Sequence, residues 1–321
     1  MPEYTKPDLV GLYWSVLHHQ VKFADLGAAA PAAAPTPTAA VPLPSVDVAA
    51  EQKEYHRPNG LVYLPRQLMV AENKVQDVTL IRSAVENGLT VLLYGEPGCG
   101  KTALVEAAFA ADGDDSLVTV QGTVETETAD FVGSWTQQPD GTYQWVDGPL
   151  VTAMIDGKKL LIDEIALIDS RVMAIVYGVM DGRGELVVTQ NPLRGVVKAK
   201  PGFAVVGACN PNVPGAQMSD ALLSRFAIHM EMTTDWGLAP KLGIGAKIVQ
   251  VVRNLNEKYG RGELTQAPQL RELLQFRDVA AQFGEHFALR NFMSQVRPEN
   301  RAIAAAAVEA VFGIKAQALI V

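Results

Sequence analysis

The sequence has few cysteines, few aromatic residues and no excess of positive charge. Its 321 residues include two cysteines, and aromatic residues make up 7%. Neither Cys99 nor Cys209 belongs to a Cys-x-x-Cys pair, which excludes a disulfide framework and leaves no set of zinc ligands. The net charge of −8 argues against a general nucleic-acid-binding surface, which would be basic. We therefore expect nucleic acid not to be the partner.

Long hydrophobic runs are also missing. No uninterrupted stretch reaches the roughly 18 apolar residues that identify a membrane-spanning helix. The first ten residues carry Glu3 and Asp8, and no long apolar core follows them, so no secretory signal is expected there. We therefore expect a cytoplasmic protein that does not cross a membrane. The apolar content of 48% is that of a globular protein, and the length allows about two domains.

What the chain does contain is a phosphate-binding motif. Residues 95–102 read Gly-Glu-Pro-Gly-Cys-Gly-Lys-Thr, which fits the P-loop pattern G-x-x-x-x-G-K-[ST]. An apolar run precedes the motif and a helix-prone run follows it, which is the context that a P-loop requires. We predict that Lys101 reaches the β- and γ-phosphates and that the Thr102 hydroxyl ligates Mg²⁺. The predicted nucleotide-binding residues of this segment are Gly95, Glu96, Pro97, Gly98, Cys99, Gly100, Lys101, Thr102 and Ala103.

A second apolar run leads into two carboxylates. Residues 160–162 read Leu-Leu-Ile and precede Asp163 and Glu164, as in a buried parallel strand that presents acids at its carboxyl end. We predict that Asp163 holds Mg²⁺ and that Glu164 orients and polarises the attacking water. An isolated Asp-Glu pair is about as typical of a helix N-cap. Its position behind the P-loop favours the catalytic interpretation.

Two more polar residues lie at the ends of predicted elements. The apolar run 202–209 ends at Asn210, whose amide is predicted to lie beside the water and the γ-phosphate; a simple Asn-Pro turn is the alternative. Residues 219–226 are typical of a short capped helix that ends in Ser-Arg-Phe. Arg225 at this tip is predicted to meet a nucleotide held by a neighbouring subunit, as an arginine finger does. The alternative is a surface arginine that offsets a helix C-terminus.

With these motifs in place, the chain resembles the AAA+ ATPases, in particular the MoxR-type proteins of the dynein-related branch and their CbbQ, NorQ and GvpN relatives. The resemblance covers about residues 55–321 and also rests on two inserts, at 131–150 and 184–198. Asp140-Gly141 is the expected hairpin turn of the first insert. The sequence departs from the usual MoxR pattern at residues 165–168, which read Ile-Ala-Leu-Ile in place of polar residues.

The resemblance implies an α/β fold, a P-loop AAA+ domain with a parallel sheet and a C-terminal α-helical lid. It implies ATP and Mg²⁺ as cofactors, ATP hydrolysis, and a homo-oligomeric ring, commonly a hexamer. It also implies chaperone-like remodelling of a protein client, with a von Willebrand A-type domain as one possible partner. The family's sensor-2 arginine corresponds to Arg271, with Arg277 as the alternative. The P-loop strand should lie beside the strand that ends at Asn210, with the Asp163 strand on the other side of it.

Other functions remain open at this level. A chelatase-like motor subunit shares the same inserts. A non-hydrolysing nucleotide-dependent scaffold for assembly is a second alternative, although the intact Glu164, Asn210 and Arg225 argue against it. A nucleic-acid motor is a third, since Ser-Arg-Phe also occurs in replicative helicases, but the absence of a basic domain disfavours it.

The sequence also predicts domain boundaries. Residues 1–27 carry apolar side chains at helical spacing and are predicted to form a helical segment that is either a docking peptide or packs on its own core. Residues 28–50 are rich in Ala and Pro, which is typical of a linker. The AAA+ domain is assigned to 51–235 and the lid to 236–321, with helices expected from Lys241, Pro268, Phe287 and Pro298.

The first insert is rich in aromatic residues. Trp135, Tyr143 and Trp145 lie around the predicted Asp-Gly turn. Large aromatic side chains supply contact area when they are exposed, so we predict that they contact a client. The alternative is that they pack against their own domain.

Overall fold

The computed structural model describes residues 53–70 and 73–320, so the segments predicted at 1–27 and 28–50, with the docking hypothesis, lie outside the described residues. The strands are β1 (Tyr55–His56), β2 (Val62–Tyr63), β3 (Gln67–Val70), β4 (Asn73–Gln76), β5 (Val91–Tyr94), β6 (Leu117–Gln121), β7 (Gly133–Gln137), β8 (Tyr143–Asp147), β9 (Lys159–Asp163), β10 (Glu185–Val187), β11 (Val196–Lys198), β12 (Ala204–Cys209) and β13 (Ile228–Glu231). The α-helices are α1 (Asp77–Glu86), α2 (Lys101–Phe109), α3 (Thr128–Val132), α4 (Pro149–Asp156), α5 (Ser170–Met180), α6 (Asp220–Leu223), α7 (Ala246–Gly260), α8 (Leu270–Phe283), α9 (Glu285–Gln295) and α10 (Arg301–Phe312).

Five strands form a parallel sheet in the order β13-β5-β12-β9-β6. Because every pair in it is parallel, the carboxyl ends of all five strands meet at one edge. The predicted strand order is confirmed, since β12 lies between the P-loop strand β5 and the Asp163 strand β9. The central strands read as continuous apolar runs because helices cover both faces of the sheet.

Successive side chains of the central strands enter opposite halves of the core. Leu92 packs in one apolar cluster with residues of α4 and α5, such as Met154 and Val176. Its neighbour Leu93 packs in a second cluster with residues of α1 and α2, such as Ile81 and Leu104. This alternation is the period of two that a strand imposes on its side chains. The predicted α/β class is therefore confirmed.

The C-terminal helices α7–α10 form the lid and have an apolar core of their own, which includes Ile248, Leu273 and Phe292. The expectation that the first lid helix begins at Lys241 is wrong. Gly243 has a φ of 73°, which a right-handed helix does not contain, so the helix begins at Ala246. Within the described residues, none of the helices is long and apolar enough to cross a membrane.

Both predicted inserts form antiparallel hairpins, β7–β8 and β10–β11, which we call the two hairpins. Trp135 and Trp145 face each other across the first, with ring centroids 5.7 Å apart in a T-shaped arrangement. The hairpins are tied together, because the Arg194 guanidinium donates to the Asp147 carboxylate at 3.0 Å and 3.2 Å. The indole N–H of Trp135 also donates to the Gln190 carbonyl at 3.3 Å.

Candidate active site

The P-loop connects the end of β5 to the start of α2. Gly95, Gly98 and Gly100 have φ values of 149°, 82° and 98°, which favour glycine. At Gly95 a second constraint applies, because an added Cβ would lie 2.1 Å from the carbonyl oxygen of Met232. The loop therefore adopts a backbone shape that other residues would resist, with the N-terminus of α2 directed at the site of an anion.

Lys101 is buried, with 6% of its surface exposed, although it carries a charge. Its ammonium group donates to the carbonyl oxygens of Gly95 and Glu96, at 2.8 Å and 3.1 Å. These contacts hold the cation inside the loop that the glycines create. The structure thus places the charge of Lys101 where bound phosphates would need it, and its role in binding stays a prediction.

Thr102 and Asp163 come together from different elements. The Thr102 hydroxyl, at the start of α2, donates to the Asp163 carboxylate at 2.6 Å. Asp163 is the last residue of β9, and only 9% of its surface is exposed. A hydroxyl and a carboxylate are the hard oxygen ligands that Mg²⁺ prefers, and substrate phosphates and water commonly complete its shell. The pair therefore fits the predicted metal role.

Glu164 follows Asp163 in an unusual backbone conformation. Its φ of 52° and ψ of 38° are left-handed, which is uncommon for a residue other than glycine. This bend turns the chain away from the strand direction, and one carboxylate oxygen of Glu164 lies 3.4 Å from the backbone nitrogen of Asn210. Glu164 makes no side-chain capping bond, and α5 is capped by Asp169 instead. Glu164 does occupy the N-cap position of a 3-10 turn, Ile165–Leu167, but without a side-chain cap, and its catalytic role stays a prediction.

Asn210 lies directly after β12, between the P-loop and the two acids. It is 3% exposed, and its side-chain oxygen accepts from the backbone N–H of Asn212 at 3.0 Å. The Asn212 amide in turn donates to the P-loop residue Glu96 at 3.1 Å. Asn210 thus contacts Glu164 on one side and is linked through Asn212 to the P-loop on the other. The bond from Asn212 also forms the Asn-Pro turn given as the alternative, and the place of Asn210 beside the water and the γ-phosphate stays a prediction.

Arg225 lies at the opposite edge of the sheet from the P-loop. Its carbonyl oxygen accepts from the Thr90 hydroxyl at 2.8 Å, and Thr90 precedes β5, whereas the P-loop follows β5. At about 3.3 Å per residue, the strand separates the two ends by roughly 15 Å. The guanidinium lies 3.0 Å from the Asp181 carboxylate and over the ring of Tyr177. Arg225 therefore does not serve the nucleotide site of its own chain.

The two candidate lid arginines lie in different places. An added Cβ on Gly98 would be 3.0 Å from the Cβ of Arg271, so Arg271 lies directly over the P-loop. Arg277 instead donates to the Leu242 carbonyl at 2.7 Å and pairs with Asp278. The structure therefore brings Arg271 to the site and keeps the alternative, Arg277, within lid contacts.

Sequence reasoning missed a cavity beside the P-loop. It has a volume of about 440 Å³, and its lining includes Arg66, Leu68, Asp77, Met232 and Trp236. The Asp77 carboxylate accepts from the Tyr63 hydroxyl at 2.5 Å, and burial raises the pKa of this carboxyl above its usual value. These residues belong to no motif and lie far apart in the sequence, so no local pattern identifies them.

The two cysteines are buried, at 0% exposure each. Burial raises the pKa of the Cys209 thiol to about 11, so this thiol stays protonated at neutral pH. Cys209 therefore acts as a small apolar residue beside the site.

Residues 90–226 match the family model of the AAA domain (dynein-related subfamily), which supports ATP binding by this segment. Among curated proteins, an uncharacterized protein from Staphylococcus haemolyticus is 35% identical over 144 residues, 43% of this chain and 53% of the relative. An uncharacterized protein from Staphylococcus aureus is 35% identical over 148 residues, 44% of this chain and 55% of the relative. The chain thus spans about half the length of these relatives.

One solved structure, a candidate ATPase from Cytophaga hutchinsonii, has a TM-score of 0.41 and 16% sequence identity, and the alignment covers 74% of this chain and 84% of that one.

Proposed function

We propose that this protein is an ATP-hydrolysing, Mg²⁺-dependent AAA+ remodelling protein of the MoxR type that acts as a ring on a partner protein. The observation that carries the proposal is the convergence of Thr102, Asp163, Glu164 and Asn210 on the P-loop at one edge of the sheet. They come from three elements, the start of α2 and the ends of β9 and β12, so only the folded chain assembles this set.

The residues divide the work of phosphoryl transfer. Lys101 and the loop amides would bind the β- and γ-phosphates, with Arg271 placed to approach from the lid. Thr102 and Asp163 would hold Mg²⁺, which when bound neutralises charge on the phosphate oxygens. Glu164 would orient and polarise the attacking water, with Asn210 fixing its place. The apolar side chains of the cavity, including Leu68 and Trp236, would receive the adenine base.

The location of Arg225 supports the proposed ring. An arginine finger acts on a phosphate, and the nucleotide site of the same chain lies at the other edge of the sheet. A neighbouring subunit in a ring, commonly a hexamer, would present its nucleotide to this edge. The client, with a von Willebrand A-type domain as one possible partner, would then meet the two hairpins, where Trp135 and Tyr143 are 49% and 65% exposed.

The first experiment tests hydrolysis at this site. The substitution Glu164→Gln should preserve ATP binding and lower ATP turnover by orders of magnitude, because only activation of the water is lost. Lys101→Ala should instead abolish ATP binding, because it removes the charge that faces the phosphates. ATP binding is measured by calorimetry and turnover by phosphate release. Equal turnover in Glu164→Gln and wild type would refute the role of Glu164.

The second experiment tests the ring. Arg225→Ala should still bind ATP but lose about 10³-fold or more of its turnover, the range typical of arginine fingers. A mixture of Arg225→Ala and Lys101→Ala proteins should recover part of the activity, because each supplies what the other lacks at a shared interface. Turnover per subunit should also rise with the concentration of wild-type protein. A flat concentration dependence with no recovery would exclude action between subunits.

A further inference from the structure

Arg66 is a buried cation that bridges two parts of the nucleotide site. It is 9% exposed, and its guanidinium donates to the carbonyl oxygen of Cys99 in the P-loop. A second nitrogen of the same group donates to the Thr233 carbonyl at 2.8 Å. Thr233 belongs to the connecting segment, residues 232–237, which follows β13 and leads to the lid. One planar group thus joins the phosphate-binding loop to the segment from which the lid extends.

The backbone of Arg66 is fixed in place. Its N–H donates to the Asp77 carboxylate at 3.1 Å, and its carbonyl accepts from the Asp77 N–H at 3.0 Å. These bonds attach Arg66 to the first residue of α1, which packs against the sheet. Its Nε–H, by contrast, finds no acceptor among the described residues. The side chain is therefore anchored at its base and held at its tip by the two carbonyl oxygens.

The connecting segment continues this link into the lid. The Thr234 hydroxyl donates to the side chain of Gln269 at 2.7 Å. Gln269 caps the N-terminus of α8, and Arg271 in the first turn of that helix lies over Gly98. A closed path therefore runs from Cys99 through Arg66, the connecting segment and the start of α8 back to the P-loop.

We propose that Arg66 is a positioning residue that couples occupancy of the P-loop to the position of the lid. A phosphate that binds the loop amides shifts the Cys99 peptide, and the guanidinium transmits this shift to the connecting segment. The fork geometry of arginine is what permits two carbonyl contacts at once, whereas lysine is a single point charge. The inference rests on the proposed nucleotide site and adds a route by which binding there reaches the lid.

The test is hydrogen exchange of the full chain with and without ADP and Mg²⁺. In the wild type, ADP should slow exchange at residues 95–102, and also at 232–237 and 269–273 by about fivefold or more, the range of typical coupling energies. Arg66→Lys keeps the charge but loses the bridge. It should retain protection at 95–102, lose the ADP effect at 232–237, and show a smaller effect at 269–273, where Arg271 also lies directly over the P-loop.

Arg82→Lys is the matched control. Arg82 also donates to two carbonyl oxygens, those of Ala108 at 2.7 Å and Ala107 at 3.4 Å, but both belong to α2. This variant should behave as the wild type. Thr234→Val removes the hydrogen bond to Gln269 and leaves Arg66 in place. It therefore tests the link from the connecting segment to α8 even if Arg66→Lys does not fold. It should keep the ADP effect at 232–233 and lower the effect at 269–273, where only the direct contribution of Arg271 should remain.

The outcomes separate the proposals. Wild-type protection of 232–237 in Arg66→Lys would overturn the coupling role, as would an unchanged ADP effect at 269–273 in Thr234→Val. Loss of ADP binding itself in Arg66→Lys, with Arg82→Lys normal, would make Arg66 an affinity residue and would also overturn it. Failure of the wild type to bind ADP would instead refute the proposed nucleotide site, together with this inference.

Discussion

The nucleotide site and the two hairpins place polar and apolar groups in opposite ways. At the carboxyl edge of the sheet, Lys101, Asp163 and Asn210 are buried at 6%, 9% and 3% exposure. On the two hairpins several large apolar side chains are exposed, and they include Tyr143 at 65% and Leu193 at 94%. Buried polar groups cost free energy unless they are paired, and clustered exposed apolar groups often mark a contact surface.

This difference indicates that the two regions use their polar and apolar side chains for different purposes. The site holds its charges through internal contacts, such as those of Lys101 with the loop carbonyls and of Thr102 with Asp163, and it is preorganised for an anion. The two hairpins satisfy their internal polar contacts, through Asp147 and Arg194, yet leave apolar side chains in solvent. The contacts within the site suit a bound anion, whereas the two hairpins expose apolar side chains of the kind that often mark a contact surface.

The same substitution in each region gives the largest contrast. Gly95→Ala should destabilise the fold by about 1–3 kcal/mol or more, because its Cβ would meet the Met232 carbonyl oxygen at 2.1 Å. In Gly141→Ala, in the turn of the first hairpin, the new Cβ meets no atom of the described residues within 4 Å and should cost only the left-handed conformation, about 1 kcal/mol. Chemical denaturation measures both. Equal losses would mean that the P-loop yields as readily as an open turn.

The contrast also explains what could be predicted from the sequence. The P-loop, the acid pair and Asn210 are local patterns, because an anion and a metal restrict residue types at fixed spacing, and the sheet order then brings them together. Arg66 carries no such signal, since its partners Cys99 and Thr233 are 33 and 167 residues away. Sequence patterns also identified the hairpins and their turn, but not which aromatic side chains would be buried, because this depends on packing between distant segments.

Aromatic substitutions within the first hairpin test which of its side chains pack against the core. Trp145 packs against the core and donates to Asp147 at 2.7 Å, so Trp145→Ala should cost about 2–3 kcal/mol, below the range for a fully buried tryptophan. Tyr143→Ala should change stability by less than about 0.5 kcal/mol, because the ring is largely in solvent. Thermal unfolding compares the two variants with the wild type. The client-contact hypothesis is therefore best examined at Tyr143, and a large loss of stability there would favour the packing alternative.

The smallest effect is expected at the tie between the two hairpins. Partial burial disfavours ionisation of Asp147, but hydrogen bonds from Arg194 and Trp145 outweigh it and hold the pKa of this carboxyl below its usual value. A depressed pKa means that the tie contributes its stability above the ordinary aspartate pKa of about 4, and loses it as pH falls through the lower, folded-state value. Asp147→Asn should therefore speed amide exchange at residues 190–195 at pH 7, and the difference from wild type should shrink below about pH 4.

Asp140→Asn is the control for this comparison. Asp140 also has a lowered pKa, through hydrogen bonds from Thr142, but its contacts stay within the turn of the first hairpin. The Asp140→Asn substitution should loosen that turn without changing the rate of amide exchange at residues 190–195. If both variants sped amide exchange at residues 190–195 equally, exchange in the second hairpin would depend on the general stability of the first hairpin rather than on the Asp147–Arg194 pair. If neither did, the exposed apolar side chains would be held in place without the tie, and the contrast between the two regions would rest on packing alone.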